Sequence, residues 1–271
     1  MFAEIYDIHS DAPPRPTPPL PVPQDVTGAE LMREGLEHLP AAIVGGTLGV
    51  LSVGAATLGR IARSPASALF GAIDYARSGR RMMRRAAEPS PLLRRRSLST
   101  RSEAIEMRLS DLHRAAHAAE GSINDAYLAG LCGALRRYHE ALGVPVPSLP
   151  MAVPVNLRSD ADPAGGNRFA GVNLAAPIGV ADPALRIQSI HRQMVQRREE
   201  PAINVIGAVA PLLSLLPDVA LEAMGESVIG SDVQASNVPI YPGDTFIAGA
   251  KVLRQFGLGP LPGVAMMVVL V

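Results

Sequence analysis

The chain has a single cysteine, Cys132, no tryptophan, and one lysine, Lys251, in an otherwise all-arginine basic complement. One thiol cannot form an intrachain disulfide or a thiolate cluster for zinc or iron–sulfur. It fits a reducing compartment. Aromatic residues make up only 4% of the sequence, so Leu, Val, Ile, Met and Ala must fill the core. Net charge is zero, which gives no global pull toward nucleic acid. A secretory n-region is also missing, because Met1–Ile8 carries two acids and no base. What remains is 271 residues at 48% hydrophobic content, enough for one large domain or two small ones.

Phe2 to Ile8 reads as the end of an amphipathic helix, with Phe2, Ile5 and Tyr6 able to share a face. Asp11 to Gln24 holds seven prolines, a polyproline-like linker. Helix signals resume near Gly28. Leu39 to Gly59 is free of charge and close to the roughly 20 residues a spanning helix needs. Its small residues recur at helical spacing, as in close helix packing. It reads equally as a buried or interfacial helix, since five glycines lower its hydrophobicity.

An arginine block follows: Arg77, Arg80, Arg81, Arg84, Arg85, Arg94, Arg95, Arg96 and Arg101. Such a run is either a solvated helix face with its loop or a surface for anionic lipid headgroups. No aromatic platform interleaves with it, which argues against nucleic acid. The expected location is cytoplasmic, peripheral at the inner membrane or at lipid droplets. Three regions are expected, 1–27, 28–101 and 102–271.

From Glu103 the texture changes. AIEMRL reads as a strand, and LSDLHRAAHAAE as a helix with Ser110 as cap. INDAYLAGLCGALRRYHEALG is the clearest helix in the chain. Ser122 is its N-cap, Asp125 three residues on completes a variant capping box, and Gly143 stops it. Ile123, Tyr127, Leu131, Leu135 and Leu142 form its apolar stripe. MAVPVNLR and RFAGVNLAAPI read as strands around the loop SDADPAGGN. A helix starts at Asp182-Pro183. Ile203 to Met224 is helical, with Pro211 and Pro217 breaking or kinking it. DVQASNVPI, IAGAKVLRQF and GVAMMVVLV close the chain as strands or near-strands. Alternating helices and strands make an α/β layered domain the expected class.

Complete catalytic patterns are absent. His113, His117 and Glu120 could share a helix face as metal ligands, or be a polar face in solvent, and no HExxH accompanies them. No GxSxG marks a hydrolase nucleophile. GGTLG and PAGGNR lack phosphate-loop or dinucleotide spacing. His9, His38, His139 and His191 each stand alone in the sequence. Asn124 and Asp125 differ, because they occupy the first turn of a strong helix, where free N–H groups and the positive dipole end gather. Asp125 reads as a cap; Asn124 could aim its amide into a cleft. Asn237, ahead of Val-Pro, has the same ambiguity.

Taken in order, INDAYLAGLCGALRRY, MAVPVNLRS, GGNRFAGVNLAAPI, DPALRIQSIH, SNVP and PLPGVAMMVVLV resemble the C-terminal half of the bacterial wax ester synthase/diacylglycerol acyltransferase family. The resemblance implies an α/β fold with a mixed sheet and packed helices, one lobe of a chloramphenicol acetyltransferase-like two-lobe architecture. It implies transfer of an acyl group from acyl-CoA to a long-chain alcohol or diacylglycerol, with acyl-CoA as substrate and no cofactor. The family signature HHxxxDG, whose second histidine is taken as general base, does not occur in these 271 residues. The chain is therefore expected to begin just past that histidine, to lack transfer activity alone, and to take a separate N-terminal lobe as partner. The alternative is a non-catalytic lipid- or membrane-binding or partner-docking module derived from that family. Under the resemblance Asn124, Asp125, Arg158, Gly166, Asn167, Ser236 and Asn237 shape the active site, and none of them is the catalytic base. Ile240 stands where the family carries Gly, which puts the local backbone in question.

Overall fold

The computed structural model describes residues 7–13, 27–30, 33, 37, 77–78, 85–97, 99–156, 169–200, 230–238, 240–241, 243–259, 261 and 263–271. Leu39–Gly59, the SDADPAGGN loop and Ile203–Met224 lie outside them. The chain divides into two compact units, one of 41–236 with 259–268, the other of 1–40, 237–258 and 269–271.

In the larger unit, three helices and most of a sheet form one core. Helix α1 is Leu109–Ala118, α2 is Ile123–Ala141 and α3 is Pro183–Arg198. Strands β1 (Leu149–Asn156), β2 (Phe169–Ala176), β3 (Val233–Asn237) and β6 (Met266–Leu270) form a sheet in the order β2-β1-β3-β6. The last residues of β3 and β6 belong to the smaller unit. β1 runs antiparallel to β2, from Leu149 opposite Ala176 to Asn156 opposite Phe169, and parallel to β3 at Met151 and Val233. The sheet is therefore mixed, as the α/β expectation requires. One face is apolar by simple alternation: Leu149, Met151, Val153 and Val155 of β1 are buried with Val172, Leu174 and Ala176 of β2. Buried as well are Leu128, Cys132 and Leu135 of α2, and Ile187, Ile190 and Met194 of α3, and α3 packs on both α2 and β2.

Pro150 and Pro154 lie in β1, a central strand, where a missing N–H usually argues against strand structure. The register resolves this. Ala175, opposite Pro150, turns its N–H and C=O outward to the Gln193 side-chain amide, both at 3.1 Å. The pair is thus a non-hydrogen-bonded one, and Pro154 opposite Gly171, four residues on, has the same parity. Neither proline faces a β2 carbonyl that needs its N–H.

Local sequence signals set several boundaries. α2 is capped by Ser122 and ends at Leu142, with Gly143 at φ +69°. α3 starts on Asp182, whose carboxylate accepts from Leu185 N–H at 2.9 Å, with Pro183 in its first turn.

Other expectations are corrected. Ser110 is not the cap of α1; Arg108 holds that position with extended dihedrals and no capping bond, and its guanidinium pairs with Asp111 at 2.8 Å instead. AIEMRL is no strand here. Residues 104–108 take no regular secondary structure, Leu109 already belongs to α1, and Ile105 is 94% exposed. IAGAKVLRQF is not one strand but a tight hairpin in the smaller unit, β4 (Phe246–Ile247) paired with β5 (Ala250–Lys251). Ala248 and Gly249 turn it with φ of +49° and +82°, the left-handed pair a two-residue hairpin needs. Asp7 forms a β-bridge with Phe246, so the helix expected over Phe2–Ile8 does not extend to Asp7. On the α2 stripe, Tyr127 and Leu135 are buried but Leu142 is exposed. Among the described residues no helix is long and apolar enough to cross a membrane.

Candidate functional site

The strongest polar construction in the larger unit is built on the first turn of α2. Ser122 Oγ accepts from Asp125 N–H at 3.2 Å and donates to Asp125 Oδ2 at 2.8 Å, while Ser122 N–H donates to that oxygen at 2.8 Å. This is the reciprocal box read from the sequence. The structure adds a third donor. His191, on α3, places Nδ1 2.8 Å from Asp125 Oδ2. A carboxylate oxygen with no proton can only accept, so Nδ1 carries the proton and a neutral ring presents Nε2 as an acceptor. Asp125 is buried, whereas the His191 side chain is 43% exposed, so the carboxylate anchors the ring from inside. The reading of His191 as solitary is thus corrected. No local signal could have found the pair, because 66 residues separate its members.

Helix α3 comes this close because residue 121 is glycine. A Cβ there would sit 2.5 Å from Ile187 Cγ2. Ile187 and His191, one turn apart on α3, therefore close over the cap of α2 together. Asn124, half-buried beside Asp125, takes no part in the capping box. One turn further along α2, the buried Tyr127 donates its hydroxyl to Val268 C=O at 2.9 Å, and burial pushes its phenol well above the ordinary range.

Two more buried polar groups fix the far part of α2. His139 Nδ1 donates to Leu135 C=O at 2.8 Å, so in the neutral ring Nε2 accepts a hydrogen bond from the Ser90 hydroxyl at 2.6 Å. Ser90 N–H donates to Asp232 Oδ2 at 2.6 Å, and Arg96 lies 3.4 Å from Asp232 Oδ1. A serine on a histidine Nε2 is the geometry of an activated nucleophile. Here both side chains are buried and the acid serves the serine backbone rather than the imidazole. The cluster pins the 85–97 segment to α2 and β3. It also ties Arg96, exposed like Arg94 and Arg95, to the buried Asp232. Nearby, Arg186 buries its guanidinium between Ala129 C=O and Val180 C=O, both at 2.8 Å, over Gly133. Burial pushes the Cys132 thiol up to about 12, an effect the Arg186 charge partly offsets.

Of the other residues singled out in the sequence, Ser236 is half-buried and Asn237 exposed at the end of β3. Arg158, Gly166 and Asn167 lie outside the described residues. Ile240 keeps a negative φ, a backbone that an L side chain adopts without strain. His113 and His117 are both exposed on α1, and among the described residues no group of three or more His, Cys, Asp or Glu side chains is placed to hold a metal ion.

The wax ester synthase/diacylglycerol acyltransferase catalytic domain matches residues 1–127, and the C-terminal domain of the same family matches 165–271. Two Mycobacterium tuberculosis proteins from different strains, each provisionally named a diacylglycerol O-acyltransferase, are 66% identical over all 271 residues. The chain spans 55% of their length. A further M. tuberculosis protein with a name of that kind is 33% identical over 137 residues, 46% of this chain and 30% of its own. A wax ester synthase/diacylglycerol acyltransferase from Marinobacter aquaeolei VT8 aligns structurally at 23% identity and a TM-score of 0.36, covering 54% of this chain and 33% of that one. The chain belongs to the wax ester synthase/diacylglycerol acyltransferase family.

Proposed function

We propose that this chain supplies the α2/α3 side of an acyl-CoA-dependent O-acyltransferase site that makes wax esters from long-chain alcohols or triacylglycerol from diacylglycerol. The observation that carries the reading is the Ser122–Asp125–His191 construction. Three donors converge on one buried carboxylate, so the first turn of α2 is rigid and Asn124 is held beside it with an amide the cap does not use. Rigid first turns of this kind position polar groups well.

The reaction needs a base to take the acceptor hydroxyl proton. The oxygen then attacks the thioester carbonyl, the C–S bond breaks, and CoA leaves as the thiol after taking up a proton. No covalent enzyme intermediate and no cofactor are required. The base belongs to an HHxxxDG segment, which these 271 residues do not contain. This chain alone is therefore inactive, and the N-terminal lobe that carries HHxxxDG is its partner. Association at an anionic membrane or a lipid-droplet surface rests on the exposed Arg94 and Arg95 and is peripheral.

The test is direct. The purified chain is incubated with palmitoyl-CoA and hexadecanol, and separately with diolein. The assay is repeated with the chain co-expressed with the part of the M. tuberculosis relative that this chain does not span. Ester should form only in the second case. Robust ester formation by the chain alone, or none from the pair, would overturn the proposal. Flotation with anionic and neutral vesicles addresses the non-catalytic lipid-binding alternative: salt-sensitive anionic binding without transfer by the pair would favour it.

A further inference from the structure

Arg186, on α3, is a buried cation with no acid bonded to it. It is 7% exposed, and its Nε and Nη1 donate to Ala129 C=O and Val180 C=O. Two carbonyls satisfy two nitrogens but leave the charge unbalanced. Nη2 has no hydrogen-bond partner, and among the described residues no side-chain nitrogen without a partner is closed off from solvent. Nη2 therefore meets solvent. It does so over Gly133 of α2. The three atoms nearest to where a Cβ of residue 133 would stand all belong to this guanidinium, Nη2 at 2.7 Å first. The missing side chain thus leaves a notch with a guanidinium as its wall. Arg136 and Arg137 follow Gly133 at i+3 and i+4, on the same strip of α2, and helical side chains lean back over the preceding turn. Burial pushes the Arg186 guanidinium below its usual pKa, Arg136 and Arg137 add to the effect, and Cys132 and Asp182 oppose it. The acids of this region are engaged elsewhere: Glu140 holds Arg136 at 2.8 Å, and Asp182 accepts from Leu185 N–H at 2.9 Å. Arg137 is exposed and forms no ion pair among the described residues.

We infer that the notch over Gly133 is an anion site, in which Arg186 Nη2 and Arg137 together hold a phosphate group. The ligand supplies the countercharge that the fold leaves out. A phosphate suits the two helices better than a carboxylate does. The two oxygens of a carboxylate lie in one plane and are matched by a single guanidinium fork, and each fork of Arg186 has already given one nitrogen to a carbonyl. The oxygens of a phosphate point out of one plane, so one group can take a donor from α3 and another from α2. Acyl-CoA is the phosphate-bearing substrate of the reaction proposed above, and assigning the phosphate to it rests on that reading. A phosphate monoester on a lipid headgroup has the same chemistry, and the two sources are separable by experiment.

The experiment uses the full chain. Binding is followed by calorimetry and by the arginine Nε–H signals in nuclear magnetic resonance. The probes are coenzyme A, pantetheine (the same arm without its phosphates), inorganic phosphate, and phosphatidylcholine vesicles with and without phosphatidate. Coenzyme A should bind about tenfold or more tighter than pantetheine, because only it brings a charge-assisted contact. It should shift the Arg186 Nε–H signal, and inorganic phosphate should compete with it. Arg137→Ala should weaken coenzyme A binding by about tenfold. Arg192→Ala, at an exposed arginine elsewhere on α3, should leave it unchanged. Both changes lie on the surface, so neither should alter the melting of the chain. Coenzyme A binding that ignores Arg137→Ala and leaves the Arg186 signal unmoved would overturn the site and leave the acyltransferase reading standing. No binding of any probe would also overturn the site, and the ester assay then judges that reading separately. Phosphatidate vesicles that shift the Arg186 signal where coenzyme A does not would overturn the assignment to acyl-CoA.

Discussion

His191 Nδ1 lies 2.8 Å from Asp125 Oδ2, the same oxygen that receives Ser122 N–H and Ser122 Oγ. One atom thus closes a helix cap and ties a second helix to it. Each donor in such a set makes the next one easier to place, because the carboxylate has already lost its freedom to rotate.

The first prediction concerns that shared oxygen. Asp125→Ala removes the cap partner and leaves an imidazole N–H without its acceptor. The expected loss is about 2–3 kcal/mol in urea unfolding. His191→Ala should cost less, about 1 kcal/mol, because its side chain is 43% exposed whereas Asp125 is buried. The double variant should fall short of the sum. Additive losses would show that the contact contributes nothing to stability.

A second prediction tests the close approach of α3. Gly121→Ala introduces a Cβ 2.5 Å from Ile187 Cγ2. Thermal melts should show a destabilisation of about 1–3 kcal/mol. In an Ile187→Ala background, where that methyl is gone, the same change should cost much less. An unchanged cost would place the strain in the backbone of residue 121 and not in the helix contact.

Cys132 gives the third. Its thiol is raised from an ordinary 9.0 to about 12 by burial. The folded state therefore prefers the protonated thiol more than the unfolded state does. The resulting stability is fully present below pH 9.0 and is lost as pH rises from there to about 12. The slope contributed is at most about 1.4 kcal/mol per pH unit. At pH 8 the thiol should resist an aromatic disulfide reagent in the native protein and react fully in guanidinium. Fast native labelling would contradict the buried placement.

The fourth prediction addresses the buried serine. Ser90→Ala leaves His139 Nε2 without a donor in a fully buried place, and should cost about 1–3 kcal/mol. Ser90→Ala with His139→Leu should recover part of that loss, since both polar partners then leave together. Chemical denaturation of the two variants beside the unaltered chain decides it.

What could be read in the sequence was what lies within a few residues along the chain. The Ser122–Asp125 box, the Asp182-Pro183 start and the Gly143 stop are i to i+3 patterns, and each formed as written. Strands β1 and β2 followed from alternation. Partners far along the chain were invisible: His191 with Asp125 and Ser90 with His139 leave no mark on spacing. Alternation alone also promised a strand at AIEMRL, because a pattern records which face should be buried but not what buries it. The hairpin at Ala248-Gly249 hid inside IAGAKV because its turn carries an alanine at positive φ, where Asn or Asp would have announced it.

Gln193 grips both backbone groups of Ala175 on the outer side of β2. Its amide imitates the peptide unit of an absent neighbouring strand. The sheet therefore has a stopper at that point on its β2 border, and any strand that would extend it there must first evict a side chain held by two bonds. Growth by recruitment of further chains, the route from an open sheet edge to a fibril, is blocked at Ala175 by one residue of a helix.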